Sequence, residues 1–166
     1  MMARWIRLGA IEPLDFDSLC AKLAAEQTHS ASPVLLWAQA DAHYLFALIA
    51  PRRLAPGRVT RWLSWGLAPA VATYRQFGLA AYLEGEAIWL HGRRIAASTA
   101  RSIGDCAVVA SSFLLRFPSA CAPTPSRELE EAFRLRLEAQ HGWQFDTSWL
   151  GAQPLVDRPD LAADRA

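Results

Sequence analysis

The side chains best suited to chemistry lie together between Glu86 and Arg101. Ala87 to Leu90 and Arg93 to Ser98 alternate as two strands, and the His91-Gly92 pair between them is a hairpin turn signal. Arg93 and Arg94 therefore open the return strand. Small residues follow them (Ala96, Ala97, Ser98), which let a ligand approach the backbone. Fixed guanidinium groups beside small side chains suit an anion such as a carboxylate or a phosphate. A hairpin tip with solvated charges is the competing account of the same residues.

A second arginine group, Arg52, Arg53, Arg58 and Arg61, surrounds the Pro56-Gly57 loop ahead of a helix. Cations at a helix N-terminus are mildly unfavourable, so an anion clamp facing Arg93 and Arg94 is one reading and a solvated helix start the other. Of 17 basic residues only Lys22 is a lysine, and it falls on the polar side of a surface helix, which argues against lysine catalysis. His29, His43, His91 and His141 are dispersed and the three cysteines, Cys20, Cys106 and Cys121, lack metal-ligand spacing, so no metal site is expected. Odd, scattered cysteines fit reduced thiols in a cytoplasmic protein. Gly-rich phosphate loops of either nucleotide-binding type are absent from the sequence. Trp62, Trp65, Trp143 and Trp149 fit an aromatic ligand wall, or core and rim packing.

At 166 residues, 52% hydrophobic and 20% charged, the chain reads as one core-rich domain over 1–150 with a flexible tail over 151–166. A net charge of +1 predicts no nucleic-acid partner. No apolar run has bilayer length and the start lacks a signal peptide, so no membrane association is expected.

The elements that must position these residues follow from periodicity. Arg4 to Leu8 is a short edge strand. Phe16, Leu19, Cys20, Leu23 and Ala24 keep helical spacing after Asp15, a candidate N-cap. Val34 to Trp37 and Tyr44 to Ile49 are strands about an Ala40-Asp41 turn. Val59, Trp62, Leu63, Gly66, Leu67, Ala70, Val71 and Tyr74 form one wide apolar stripe; Pro69 is expected to kink or split that helix, and Gly78 to end it. Leu79 to Leu83, Ala87 to Leu90 and Arg93 to Ser98 form a meander, and Cys106 to Phe117 a long strand. A connector with Pro118, Pro123 and Pro125 leads to a helix capped by Ser126 and closed by Gly142. The order β-α-β-β-α-β-β-β-β-α predicts an α+β (α/β) fold, a mixed, mostly antiparallel sheet with helices packed on it.

The stretch Ile88-Trp89-Leu90-His91-Gly92-Arg93-Arg94-Ile95-Ala96-Ala97 resembles the Gly-Arg-Lys-Ile-Ala-Gly hairpin of the biotin/lipoate protein ligase catalytic domain. The resemblance covers residues 57–117 at motif level and the rest by element order. It implies the class II ligase-like architecture of that family, whose members activate a carboxylic acid with ATP and pass the acyl group to a lysine of an acceptor domain. It places Arg94 at the catalytic lysine position, with Arg93, Glu86, Ala97, Ser98 and Arg58 as substrate-binding positions. ATP and magnesium are implied as cofactors if ligation is retained, and a small acid and an acceptor carrier protein as partners.

Departures from the pattern fall on the polar positions. Arg94 keeps the charge of the lysine but not its compact geometry. Ala97 adds a methyl group where the family has glycine, Glu86-Ala87 replaces an Asn-Asp pair, and Arg58 to Trp62 stands where the Gly-rich, Arg-containing loop would be. A ligase-like enzyme, a non-catalytic relative binding a ligand or a protein, and an assembly subunit anchored by tryptophans all remain open.

Overall fold

The computed structural model describes residues 1–28, 30–114 and 126–146. In chain order its elements are β1 (Met2–Ala10), α1 (Pro13–Glu26), β2 (Val34–Gln39), β3 (His43–Pro51), α2 (Trp62–Gln76), β4 (Tyr82–Glu84), β5 (Ala87–Leu90), β6 (Arg93–Ala97), β7 (Thr99–Ile103), β8 (Cys106–Leu114), α3 (Ser126–His141) and β9 (Gln144–Phe145). Single turns of 3-10 helix, Arg52–Leu54 and Val59–Arg61, lie between β3 and α2.

Among the described residues a six-stranded sheet has the order β7-β8-β3-β2-β1-β9, and a smaller one the order β4-β5-β6. Pairing is antiparallel except for β1 with β2 and β1 with β9, so the sheet is mixed with an antiparallel majority. Both faces of the large sheet are covered, and its central strands accordingly read as continuous apolar runs. On one face Ile6, Leu36, Ile49 and Val108 meet Phe16, Leu19 and Cys20 of α1. On the other, Trp5, Trp37, Phe46 and Phe113 meet Leu67, Tyr74, Phe133 and Leu137 of α2 and α3. Phe133 lies edge-on to Phe46 with ring centroids 4.7 Å apart, a favoured aromatic geometry.

Four local features differ from the sequence expectation, the first being β1, a nine-residue strand paired on both sides rather than a short edge strand. The N-cap of α1 is Glu12 with Pro13 as the first helical residue, and Asp15 lies in the first turn. Proline suits that position because its missing N–H would have no helical partner. Pro69 sits inside a continuous α2. Thr73 Oγ1 donates to the Pro69 carbonyl at 2.8 Å, tying the turn that follows the ring. The expected meander also ends sooner: β6 stops at Ala97, and after Ser98 the chain joins the large sheet as β7.

Gly78 ends α2 at φ +86°. Its N–H donates to the Arg75 carbonyl at 3.0 Å and that of Leu79 to Tyr74 at 3.1 Å, the paired bonds of a Schellman cap. Cys121, Trp149 and the 151–166 tail lie outside the described residues.

Candidate functional site

The β5–β6 turn puts both central residues at positive φ, His91 at 50° and Gly92 at 73°. That is the type I′ geometry whose twist matches a two-residue hairpin, and Leu90 pairs with Arg93 across it. The ladder then slips: Trp89 pairs with Arg94 and Ile88 with Ala96, which leaves Ile95 as an extra residue. Such a bulge bends the strand and changes where its side chains point. Consequently four consecutive residues, Arg94 to Ala97, contribute to one groove wall, which a regular alternating strand would not allow.

The groove encloses about 410 Å3 between β6, the first turn of α1 and the end of the large sheet. Its other walls are Pro13, Phe16 and Asp17 from α1, His43 and Leu45 from β3, Thr99 from β7 and Ala110, Ser111 and Ser112 from β8. Sheet register brings these together, with Leu45 opposite Ser112 and Thr99 opposite Ala110. Phe16, Leu45, Ile95, Ala96 and Ala110 make the surface largely apolar. Arg94 is exposed on the wall and, among the described residues, has no carboxylate partner. Asp17, the acidic residue on the wall, is already bound to Arg101 Nη2 at 2.8 Å. The local field at the groove therefore favours an anion.

Ser98 does not line the groove. It is buried, its Oγ shares a 2.7 Å hydrogen bond with Ser111 Oγ, and its N–H donates to the Glu86 carbonyl at 2.9 Å. Its place is behind the wall, where it fixes the crossing from β6 to β7. Glu86 is exposed in the β4–β5 turn and meets the site through that carbonyl. Arg93 is exposed at the hairpin tip and is not part of the wall, whereas Ala97 is.

The second arginine group lies elsewhere. Arg52 follows β3, its N–H donating to the Asp105 carbonyl at 2.9 Å, at the end of the β3–β8 pair opposite His43 and Ser112. Arg58 precedes α2, whose Gly66 abuts Val109 and whose Tyr74 hydroxyl accepts from Leu114 N–H at 3.1 Å. It therefore stands toward the Cys106 end of β8. An anion clamp uniting Arg58 with Arg94 is not formed.

Four of the six described tryptophans are core residues. Trp5, Trp37, Trp62 and Trp143 are buried, and Trp62 Nε1 donates to the Pro56 carbonyl at 2.7 Å. His141 stacks on Trp143 at 4.6 Å between ring centroids and lies 4.9 Å from Trp65. Burial lowers the His141 pKa to about 4. Burial also pushes the Cys20 thiol up to about 12, so it is not a nucleophile at neutral pH.

No family model matches the sequence, and no curated protein does. Solved structures do match. One is a bi-partite lipoate protein ligase from Thermoplasma acidophilum, with TM-score 0.71 and 10% identity, covering 88% of this chain and 86% of that one. Another is lipoate-protein ligase A bound with ATP, at TM-score 0.70 and 12% identity over 88% of each chain. The fold is that of the lipoate and biotin protein ligases. The biotin acetyl coenzyme A carboxylase synthetase of Helicobacter pylori, solved with biotinylated ATP, shares this ligase fold at TM-score 0.61 and 12% identity, over 89% of this chain and 78% of that one. At such identities the likeness is one of architecture, and the site must be judged on its own residues.

Among the described residues the groove offers little that would hold a magnesium nucleotide. Its wall carries a single guanidinium, Arg94, and its one carboxylate is engaged by Arg101. Among the described residues no three His, Cys, Asp or Glu side chains gather as a metal site. The walls contributed by Pro13, Phe16, His43, Leu45 and Ser112 escaped sequence reasoning, because they come from separate elements whose pairing register alone brings them together.

Proposed function

We propose that the protein binds a small carboxylic acid, or its acyl derivative, in the groove between β6 and α1, without ATP-dependent ligation. The observation that carries this reading is Arg94, a guanidinium without a carboxylate partner among the described residues, at the edge of an otherwise mainly apolar groove. Arg94 is the counter-ion of the head group, donating two parallel N–H bonds to a carboxylate. Ala96 and Ala97 leave room for the head group beside the backbone. Phe16, Leu45 and Ile95 receive the hydrocarbon part, each buried CH2 contributing about 0.8 kcal/mol. Ser98, which lies behind the wall, is a positioning residue and does not touch the ligand. A carrier domain is a further partner that this reading allows, since the Thermoplasma acidophilum ligase is described with its E2 lipoyl domain.

The test is thermal unfolding of the purified protein with octanoate, lipoate or biotin, each with and without ATP and magnesium. A ligand at 100 times its Kd adds about 2.7 kcal/mol, a rise of roughly 5–10 °C for a chain of this size. The reading predicts stabilisation by an acid, unchanged by nucleotide. Amplification by ATP would restore the ligase reading. No shift with any acid would remove the binding site.

A further inference from the structure

The outer side of α2 and α3 carries a second groove, separate from the Arg94 site. The two helices meet where His141 lies against Trp65 and where Arg136 Nε donates to Gln76 Oε1 at 3.2 Å. Between them lies an open furrow of about 650 Å3, floored by Ala68, Val71 and Ala72 of α2 and closed at one end by Leu83 of β4. From Ser64 to Gln76 it runs about 18 Å, taking 1.5 Å per residue, or three helical turns. Arg75 and Arg136 are its charged lining residues, and among the described residues neither meets a carboxylate. Arg75 is held in place by its Nε bond to the Ala81 carbonyl at 3.0 Å. Leu135 and Tyr82, neighbours in sequence of Arg136 and Leu83, stand 50% and 36% exposed.

We propose that this furrow docks an amphipathic helix of a partner protein that carries acidic residues. Ala68 and Ala72 have only methyl side chains, so a helix can settle close to the α2 backbone. Val71 and Leu83 supply apolar contact, the mode in which a helix lays its apolar face into a groove. Arg75 and Arg136 ask for carboxylates on the visiting helix, which set its register and speed the encounter.

The experiment places the photo-crosslinking residue p-benzoylphenylalanine at Ala72 in the full chain, expressed in its native host and irradiated. Crosslinked peptides are then sequenced. A matched probe at Leu14, which is 83% exposed in α1 on the opposite face of the sheet, is the control. The expected result is one partner segment captured at Ala72 and not at Leu14, with apolar residues at helical spacing and acidic residues flanking them. A synthetic peptide of that segment then binds the purified protein, and Ala68→Glu weakens it at least tenfold. Arg75→Glu with Arg136→Glu does the same where circular dichroism shows the variant folded; Ala68→Glu, at an exposed helical position, decides the matter where it is not. The proposal is overturned by no capture at Ala72, by capture of residues 147–166 of the same chain or of a second copy, by a partner segment without acidic residues, or by unchanged affinity of Ala68→Glu.

Discussion

Gly66 is where α2 comes closest to the sheet, and replacing it with alanine measures how tightly that contact is set. A Cβ built at Gly66 would lie 2.7 Å from Val109 Cγ1, 2.8 Å from Cβ and 2.9 Å from Cγ2. Carbon atoms in contact prefer about 3.5–4.0 Å, so helix and strand must part by nearly 1 Å. Overpacking of this kind costs about 1–3 kcal/mol. Alanine returns up to about 1 kcal/mol through its better helix propensity. Because three Val109 atoms lie under 3.0 Å, the upper part of the overpacking range applies, and the net expectation is a loss of about 1–2 kcal/mol, or a Tm lowered by roughly 2–8 °C in a chain of this length. Gly57→Ala is the internal control, since nothing lies within 4 Å of its Cβ and its φ is unstrained. Urea denaturation of both variants, and of Gly66→Ala combined with Val109→Ala, tests the contact. The double variant should recover at least about 0.5 kcal/mol relative to additivity. A Gly66→Ala protein as stable as the parent, or more so, would refute the close approach of α2 to β8.

Other perturbations have defined outcomes. Arg7 grips the buried Glu130 through Nε to Oε1 at 3.0 Å and Nη2 to Oε2 at 2.6 Å. Burial holds the Glu130 carboxyl above its ordinary pKa and Arg7 draws it part of the way back, so Arg7→Met, which strands the carboxylate, should lower stability by about 3 kcal/mol in urea melts. Glu130→Leu should cost less, because Arg7 is 32% exposed and keeps water. His141 has its folded pKa lowered to about 4 by burial, against 6.5 for the free side chain. The unfolded chain therefore takes up a proton first, and stability present above pH 6.5 is lost as pH falls toward 4. Tm measured across that window should fall less steeply in His141→Phe than in the parent. Gly92→Ala forces a methyl group onto φ +73° and should cost about 1 kcal/mol while loosening the Arg94 wall, seen as a weaker acid-induced Tm shift.

What the sequence disclosed was local. The stripe from Val59 to Tyr74 foretold α2, the alternation around His91-Gly92 foretold the hairpin, and Arg94 with Ala97 marked one wall of the groove. What it concealed depends on distant partners. The step from β6 to β7 turns on the buried Ser98–Ser111 bond, thirteen residues apart in sequence, and period-two alternation runs through it without a signal. β9 is two residues long and forms only because Met2 and Ala3 offer an open edge. Pro69 announced a break, yet packing of Leu67, Ala70 and Tyr74 on the sheet keeps α2 continuous. The two arginine groups look alike in sequence, and only the β3–β8 register shows that they sit at opposite ends.

The central claim, that an acid sits in the Arg94 groove, is tested most directly by an amide-resolved NMR titration of the protein with octanoate. Saturable shifts confined to Arg94 to Ala97, His43, Leu45, Thr99 and Ser112, and abolished in Arg94→Ala, are the predicted result. Saturable shifts centred on Arg52 and Arg58, or binding that survives Arg94→Ala unchanged, would contradict it.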